Sequence, residues 1–146
     1  MINAFKGKYA FLSNFYPCVV MYEGKTYPSV EHAFQAAKSL DEDVRKGFQS
    51  CPTAKDAKQF GRHVSLRPDW ENVKIKVMTD CVRDKFARNL SDVDLKSLLL
   101  GTGDQHLEEG NNHRDTFWGT VNGQGRNELG TILMKIRDEL KAGVAV

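Results

Sequence analysis

Ten residues near the N-terminus, residues 29–38 (SVEHAFQAAK), constrain this chain more than any other segment. Their alanine-rich composition predicts one helix, and Ser29 is placed to accept hydrogen bonds from the free amides of its first turn. At about 100° per residue, Glu31, Gln35 and Lys38 fall on one narrow stripe of that helix. The segment therefore lines up a carboxylate, an amide and an amine beside apolar packing residues. A solvated helix face is the plain alternative, and this pattern alone leaves it open.

The rest of the pattern predicts a chain dominated by helix, with a little β-structure near the N-terminus. The first residues read as strand and turn, and residues 18–27 read as a hairpin that turns at Glu23 and Gly24. Some further β-structure is expected around residues 105–109. Capping residues and apolar periodicity predict more helices over residues 41–50, 53–61, 68–89 and 91–100, and a last one that stops near Gly143.

Length and composition favour one domain of the α+β class, predominantly helical, over residues 1–146. The net charge is only +2 and the charges are interspersed, which argues against a nonspecific nucleic-acid-binding protein. Cys18, Cys51 and Cys81 are odd in number and form no CxxC pair, which argues against a disulfide framework and a zinc site. No apolar leader or membrane-spanning run is present. We therefore expect a cytoplasmic protein with no metal and no membrane partner.

The polar stretch over residues 108–119 contains acids, a histidine and an arginine, and it ends in Phe117, Trp118 and Gly119. A solvated connector is the plain interpretation. The aromatic pair weakens it, because neighbouring aromatic residues in a loop tend to be docked. The alternative is a pocket in which Trp118 presents its flat face to a ring-shaped ligand. Asp115, three residues earlier, can approach the same pocket.

Two other features allow a structural and a functional interpretation. The glycines before the last helix can expose backbone amides to an anion, with Arg126 adding charge. A plain turn with an asparagine cap is the favoured interpretation on spacing. Asp69 and Trp70 read either as a cap and a core anchor, or as the start of a stacking wall. The four histidines show no metal-ligand spacing.

Together these segments resemble the NADAR/YbiA-like family of N-glycosidases. The matching segments occur in the family's order and cover essentially the whole chain: residues 5–17, 27–38, 67–70, 109–111, 115–119 and 127–134. The resemblance implies hydrolysis of the bond between a nitrogen and C1 of a ribose, with no cofactor. It implies one of two substrates. One is a small phosphorylated ribosylaminopyrimidine intermediate of riboflavin synthesis, and the other is ADP-ribose on guanine in nucleic acid.

The resemblance also implies roles for particular residues. Glu31 is expected to be the carboxylate nearest C1, and Asp115 a second acid or an orienting group. Trp70 and Trp118 are expected to stack on the base or to wall the pocket. Lys38 is expected either to hold a phosphate or to attack C1 of the opened sugar as an amine. The remaining expected substrate contacts are Asn14, Gly119 and Arg126.

One departure from the family concerns His113, which stands where relatives often carry an aromatic residue. This difference affects the expected pocket shape and substrate choice, whereas Asp115 and Trp118 match the family. Two other classes of function compete with hydrolysis: a module that binds ADP-ribose or a nucleotide without cleaving it, and a helical interaction protein. The sequence sets no oligomeric state.

Overall fold

A computed structural model describes residues 1–143 of the chain. Within these residues it contains a two-stranded sheet, a 3₁₀-helix, a π-helix and six α-helices, and this confirms the predominantly helical α+β class. The strands are β1 (Val20–Tyr22) and β2 (Lys25–Tyr27). The α-helices are α1 (Val30–Ala36), α2 (Glu42–Gln49), α3 (Ala54–Gly61), α4 (Trp70–Arg83), α5 (Leu95–Leu100) and α6 (Glu128–Lys141).

The predicted hairpin is confirmed. The strands β1 and β2 are antiparallel, and Val20 pairs with Tyr27. Glu23 and Gly24 both have positive φ angles, 48° and 81°. Two consecutive left-handed residues are what a tight hairpin turn needs to match the twist of its strands. Before the hairpin, residues Gly7–Leu12 form the 3₁₀-helix, which the sequence did not predict.

Local capping explains where the early helices begin. The Ser29 side chain accepts from the backbone N–H of His32 at the start of α1. Asp41 caps α2 and Thr53 caps α3 in the same way. These bonds satisfy amides that have no partner inside their own helix. The predicted starts of these three helices are therefore confirmed.

The later boundaries differ from the prediction. The helix expected to run to residue 89 ends at Arg83 and continues as the π-helix Asp84–Arg88. Asp69 precedes α4 but does not cap it, because its carboxylate pairs with Arg67 at 2.7 Å. The next helix begins at Leu95, later than expected. Around residues 105–109 the structure has only an isolated bridge, between Ile2 and Leu107.

The chain divides into two compact units. The α1 unit comprises residues 14–93, in which α1 packs against α2, α3, α4 and both strands. The α6 unit comprises residues 1–13 and 94–143, in which α5 packs against α6 and the 3₁₀-helix. That residues 1–146 form a single domain stays a prediction. No helix within residues 1–143 is long and apolar enough to cross a membrane.

Candidate active site

Glu31 is a buried carboxylate on the second residue of α1. Glu31 is only 7% exposed, and its backbone N–H donates to the carbonyl of Asn14 at 3.0 Å. One turn later, Nε2 of Gln35 donates to Oε1 of Glu31 at 3.3 Å. The predicted alignment of Glu31 and Gln35 is therefore confirmed, and the face they share is buried. The solvated-face interpretation is wrong for these two residues.

Lys38 lies just beyond the end of α1, which is shorter than the predicted helix. Its carbonyl accepts from the backbone N–H of Arg67 at 2.7 Å, which ties this turn to the segment before α4. Burial lowers the pKa of the Lys38 amine below its usual 10.5, and Glu31 opposes that effect. Lys58 of α3 and Arg62, the residue that follows α3, lower the pKa of Lys38 further. One carboxylate and two further cations thus lie in the electrostatic neighbourhood of Lys38.

Asn14 and Trp70 belong to the same unit and pack differently. The Asn14 amide donates to the sulfur of Met78 at 3.4 Å, while its carbonyl holds the start of α1. Trp70 is 5% exposed, and its ring centroid lies 5.1 Å from that of Phe34 on α1. This packing agrees with Trp70 as a core anchor. A stacking role for Trp70 stays a prediction.

In the α6 unit, Asn111 organises the polar stretch that the sequence left ambiguous. Its Nδ2 donates to the carbonyl of Asp115 at 2.9 Å and to that of Thr120 at 3.1 Å. Its Oδ1 accepts from the backbone N–H groups of His113 and Asp115. The stretch is therefore a hydrogen-bonded loop rather than a solvated connector. The sequence did not predict this role of Asn111, because an asparagine after a glycine indicates only a turn.

Asp115 and the aromatic pair form the tip of this loop. Oδ1 of Asp115 accepts from the backbone N–H of Phe117 at 3.1 Å and of Trp118 at 2.9 Å. The rings of Phe117 and Trp118 meet edge to face, with centroids 4.7 Å apart. Both aromatic residues and Asp115 are half-buried. One oxygen of the carboxylate thus has a structural task in its own loop, and a catalytic role for Asp115 stays a prediction.

The first two amides of α6 and the amide before them are not free to bind an anion. The backbone N–H groups of Asn127, Glu128 and Leu129 donate to the carbonyls of residues 119, 117 and 118, at 3.0 to 3.2 Å. The asparagine-cap interpretation is also wrong, because the Asn127 side chain makes no capping bond. It instead accepts from the backbone N–H of Glu109 and donates to the carbonyl of Leu107, both at 2.9 Å.

Gly119 and Arg126 both have contacts within this loop. A methyl group at Gly119 would lie 2.0 Å from the carbonyl oxygen of Glu109, so close packing demands glycine there. The Arg126 guanidinium lies 4.6 Å from the centroid of the Phe117 ring and 3.3 Å from the carboxylate of Glu128. The substrate contacts expected of Gly119 and Arg126 stay predictions.

The structure thus gathers the expected residues into two clusters, each within one unit. The α1 cluster contains Glu31, Lys38 and Asn14, and the loop cluster contains Asp115, Trp118, Gly119 and Arg126. Among residues 1–143, no group of three or more His, Cys, Asp or Glu side chains is placed to bind a metal ion.

Comparison with known proteins decides the family. The model of the NADAR domain family matches residues 3–141. The chain belongs to the NADAR family. This NADAR chain is 39% identical over 135 residues to the N-glycosidase YbiA of Shigella boydii, and the match covers 90% of this chain and 82% of the relative. Its fold is similar to the NMR structure of the Escherichia coli protein YbiA, with a TM-score of 0.81 and 35% identity, over 98% of this chain and 88% of that one.

A second kind of relative is longer. The NADAR chain is 40% identical over 136 residues to a riboflavin biosynthesis protein of Vibrio vulnificus, but it spans only 36% of that protein's length. The relatives that match over most of both chains are named N-glycosidases. The enzyme class of this NADAR chain is accordingly an N-glycosyl hydrolase.

Proposed function

We propose that this N-glycosidase hydrolyses the C1–N bond of phosphorylated ribosylaminopyrimidine intermediates of riboflavin biosynthesis. The observation that carries the proposal is the buried Glu31 carboxylate, held by Gln35 and coupled electrostatically to the Lys38 amine. The similarity to a riboflavin biosynthesis protein of Vibrio vulnificus supports the choice of pathway.

The proposed role of Glu31 follows from the charge that the reaction develops. As the C1–N bond breaks, its electron pair leaves with the nitrogen and positive charge builds on the ribose ring. A fixed carboxylate in a buried setting stabilises that charge more strongly than water does. Glu31 is 7% exposed and bonded at both its backbone and its side chain, so it needs little reorganisation.

The cationic cluster (Lys38, Lys58 and Arg62) is the proposed binding site for the phosphate. Like charges that lower the pKa of Lys38 oppose one another until an anion arrives. A phosphate would relieve this repulsion and accept hydrogen bonds from the amine and the guanidinium. We therefore assign Lys38 the phosphate-holding role rather than that of an amine nucleophile.

The hydrolysis is completed by water. Its oxygen bonds to C1 and keeps one proton as the new hydroxyl, its other proton passes to a carboxylate, and the departing base gains a proton from an acid or through solvent. The products are ribose 5-phosphate and the free base. Asp115 is the proposed second acid, as the family resemblance implies.

The alternative substrate is ADP-ribosyl-guanine in nucleic acid, because a cationic cluster also suits a pyrophosphate. A non-catalytic binding module is the second alternative. Each alternative predicts a different set of reaction products.

The test is mass spectrometry of the products formed from two substrates in parallel. The substrates are the ribosylaminopyrimidine phosphate and an oligonucleotide carrying ADP-ribosyl-guanine, each with wild-type protein and Glu31→Gln. Release of ribose 5-phosphate by the wild type, and its loss in the folded variant, is the expected result. Release of ADP-ribose alone would replace the proposed substrate with the alternative. Binding without cleavage of either would overturn the proposal, and near-normal turnover by Glu31→Gln would remove Glu31 from its role.

A further inference from the structure

The two polar atoms of the buried Gln35 amide differ in their hydrogen bonding. It is 5% exposed, and its Nε2 donates to Oε1 of Glu31 at 3.3 Å. Its own Oε1 is buried, and no donor within residues 1–143 reaches it. A buried acceptor without a donor is unfavourable, and such groups in native proteins usually have a functional reason. A methionine would fill nearly the same space without that cost.

The neighbouring helix is shaped around this amide. A methyl group at Gly61, the last residue of α3, would lie 1.9 Å from Oε1 of Gln35 and 2.7 Å from its amide carbon. Only glycine leaves room for the amide at this crossing of α1 and α3. Because the amide is confined by Gly61 on one side, its Nε2 is directed to Glu31 on the other.

We infer that Gln35 is a positioning residue that holds the Glu31 carboxylate for catalysis, and that Gly61 supplies the space this requires. The inference rests on the proposed catalytic role of Glu31. A carboxylate that accepts a hydrogen bond from a confined donor has fewer orientations to leave before the reaction begins. The amide thus acts through Glu31 and contacts no reacting atom itself.

Kinetics of four variants test the inference with whichever substrate the wild type cleaves. Gln35→Met removes the donor but keeps the volume, and we expect kcat to fall roughly 10-fold to 100-fold with KM nearly unchanged. Gln49→Met is the matched control. Gln49 lies on α2 and its amide donates to the carbonyl of Thr26 at 3.0 Å, so its loss should leave kcat unchanged. Equal effects of the two substitutions on kcat would overturn the inference.

The double variant separates packing from positioning. Gly61→Ala alone should lower both the melting temperature and kcat, because the new methyl group displaces the amide. In the double variant Gln35→Ala with Gly61→Ala the collision is gone, so the melting temperature should recover while kcat stays low. Recovery of kcat together with the melting temperature would show that Gln35 only fills space.

A spectroscopic measurement keeps the inference testable without turnover. In the ¹⁵N–¹H spectrum, the side-chain amide signal of Gln35 should shift when Glu31→Gln removes the charge of its acceptor. The amide signal of Gln49 should stay in place. If the wild type cleaves neither substrate, the proposed function fails while this measurement still decides the contact. A Gln35 signal that does not respond to Glu31→Gln would overturn the inference.

Discussion

The Ser29 hydroxyl makes two hydrogen bonds to His32, one to its backbone and one to its ring. Its oxygen accepts from the backbone N–H at 3.1 Å and lies 2.7 Å from Nδ1. On the other side of the ring, Nε2 lies 3.0 Å from the carbonyl oxygen of Cys51, which can only accept. Nε2 therefore carries the hydrogen, and Nδ1 accepts from the Ser29 hydroxyl. Neutral His32 satisfies all three hydrogen bonds, whereas protonation would remove the acceptor that the Ser29 hydroxyl uses.

Stability should accordingly depend on the protonation of His32. Burial lowers the pKa of His32 below its usual 6.5, although the bond to Cys51 and the charge of Asp56 act in the opposite direction. The unfolded chain then takes up this proton at a higher pH than the folded one. The contribution of neutral His32 is fully present above about pH 6.5 and is lost as the pH falls from there towards the folded-state pKa.

The measurement is the melting temperature between about pH 7 and about pH 5, for wild type, His32→Gln and His63→Gln. His63 is exposed and serves as the control. The fall in melting temperature should be shallower in His32→Gln than in the other two proteins. Three parallel curves of melting temperature against pH would contradict the role of His32 in this pH dependence.

Replacement of Lys38 should affect substrate binding more than the chemical step. For Lys38→Met we expect KM to rise roughly 10-fold to 100-fold, because a charged hydrogen-bond partner of the phosphate is lost. Lys38→Arg should retain most of the affinity, and Lys55→Met, on the exposed side of α3, should change neither constant. Loss of kcat in Lys38→Arg, with a borohydride-trapped adduct in the wild type, would instead support the amine nucleophile.

Two substitutions of Asp115 should separate its structural task from chemistry. Asp115→Ala removes the acceptor for the amides of Phe117 and Trp118 and should cost about 1–2 kcal/mol of unfolding free energy. Asp115→Asn keeps an oxygen in that position and should cost less than about 0.5 kcal/mol. Loss of activity in Asp115→Asn would then show that the reaction needs the negative charge of Asp115. Equal destabilisation by both substitutions, measured by urea unfolding, would contradict the hydrogen-bonding role.

Asn127 should be among the most sensitive polar residues of the α6 unit. Asn127→Ala leaves the buried carbonyl of Leu107 and the amide of Glu109 without their partner, and we expect a loss of about 2–4 kcal/mol. Asn122 is the matched control, since its φ of 52° resembles the 51° of Asn127 but its side chain is exposed. Similar losses in both alanine variants would mean that backbone conformation, and not the two hydrogen bonds, sets the cost.

The elements that could be predicted are those whose signals lie within a few residues of one another. Asp41 and Thr53 each accept from an amide two or three residues further along, so the sequence predicts the helix starts directly. The apolar spacing of α6 likewise predicts its buried face, including Leu133 and Ile136. Asp69 failed as a cap because a stronger partner, Arg67, takes its carboxylate.

Within the candidate site, too, the contacts that could be predicted are those between residues close together in the sequence. The one-turn spacing of Glu31 and Gln35 within a single helix was enough to predict that they lie on the same face. The role of Asn111 could not be predicted, because it depends on a bond to Thr120 that the folded loop creates. Asn127 shows the limit most clearly, since its amide binds a carbonyl 20 residues earlier in the chain.

The sequence by itself determined the helical class, the family and the alignment of carboxylate and amide along α1, because helical periodicity and capping act over one or two turns. Only the tertiary structure decided that the Glu31 face is buried, that α3 and the residue after it bring Lys58 and Arg62 towards Lys38, and that the first two amides of α6 are already bonded. Each of these depends on which distant segment packs against the residue. Packing sets burial, and burial sets the charge environment in which a carboxylate or an amine can act.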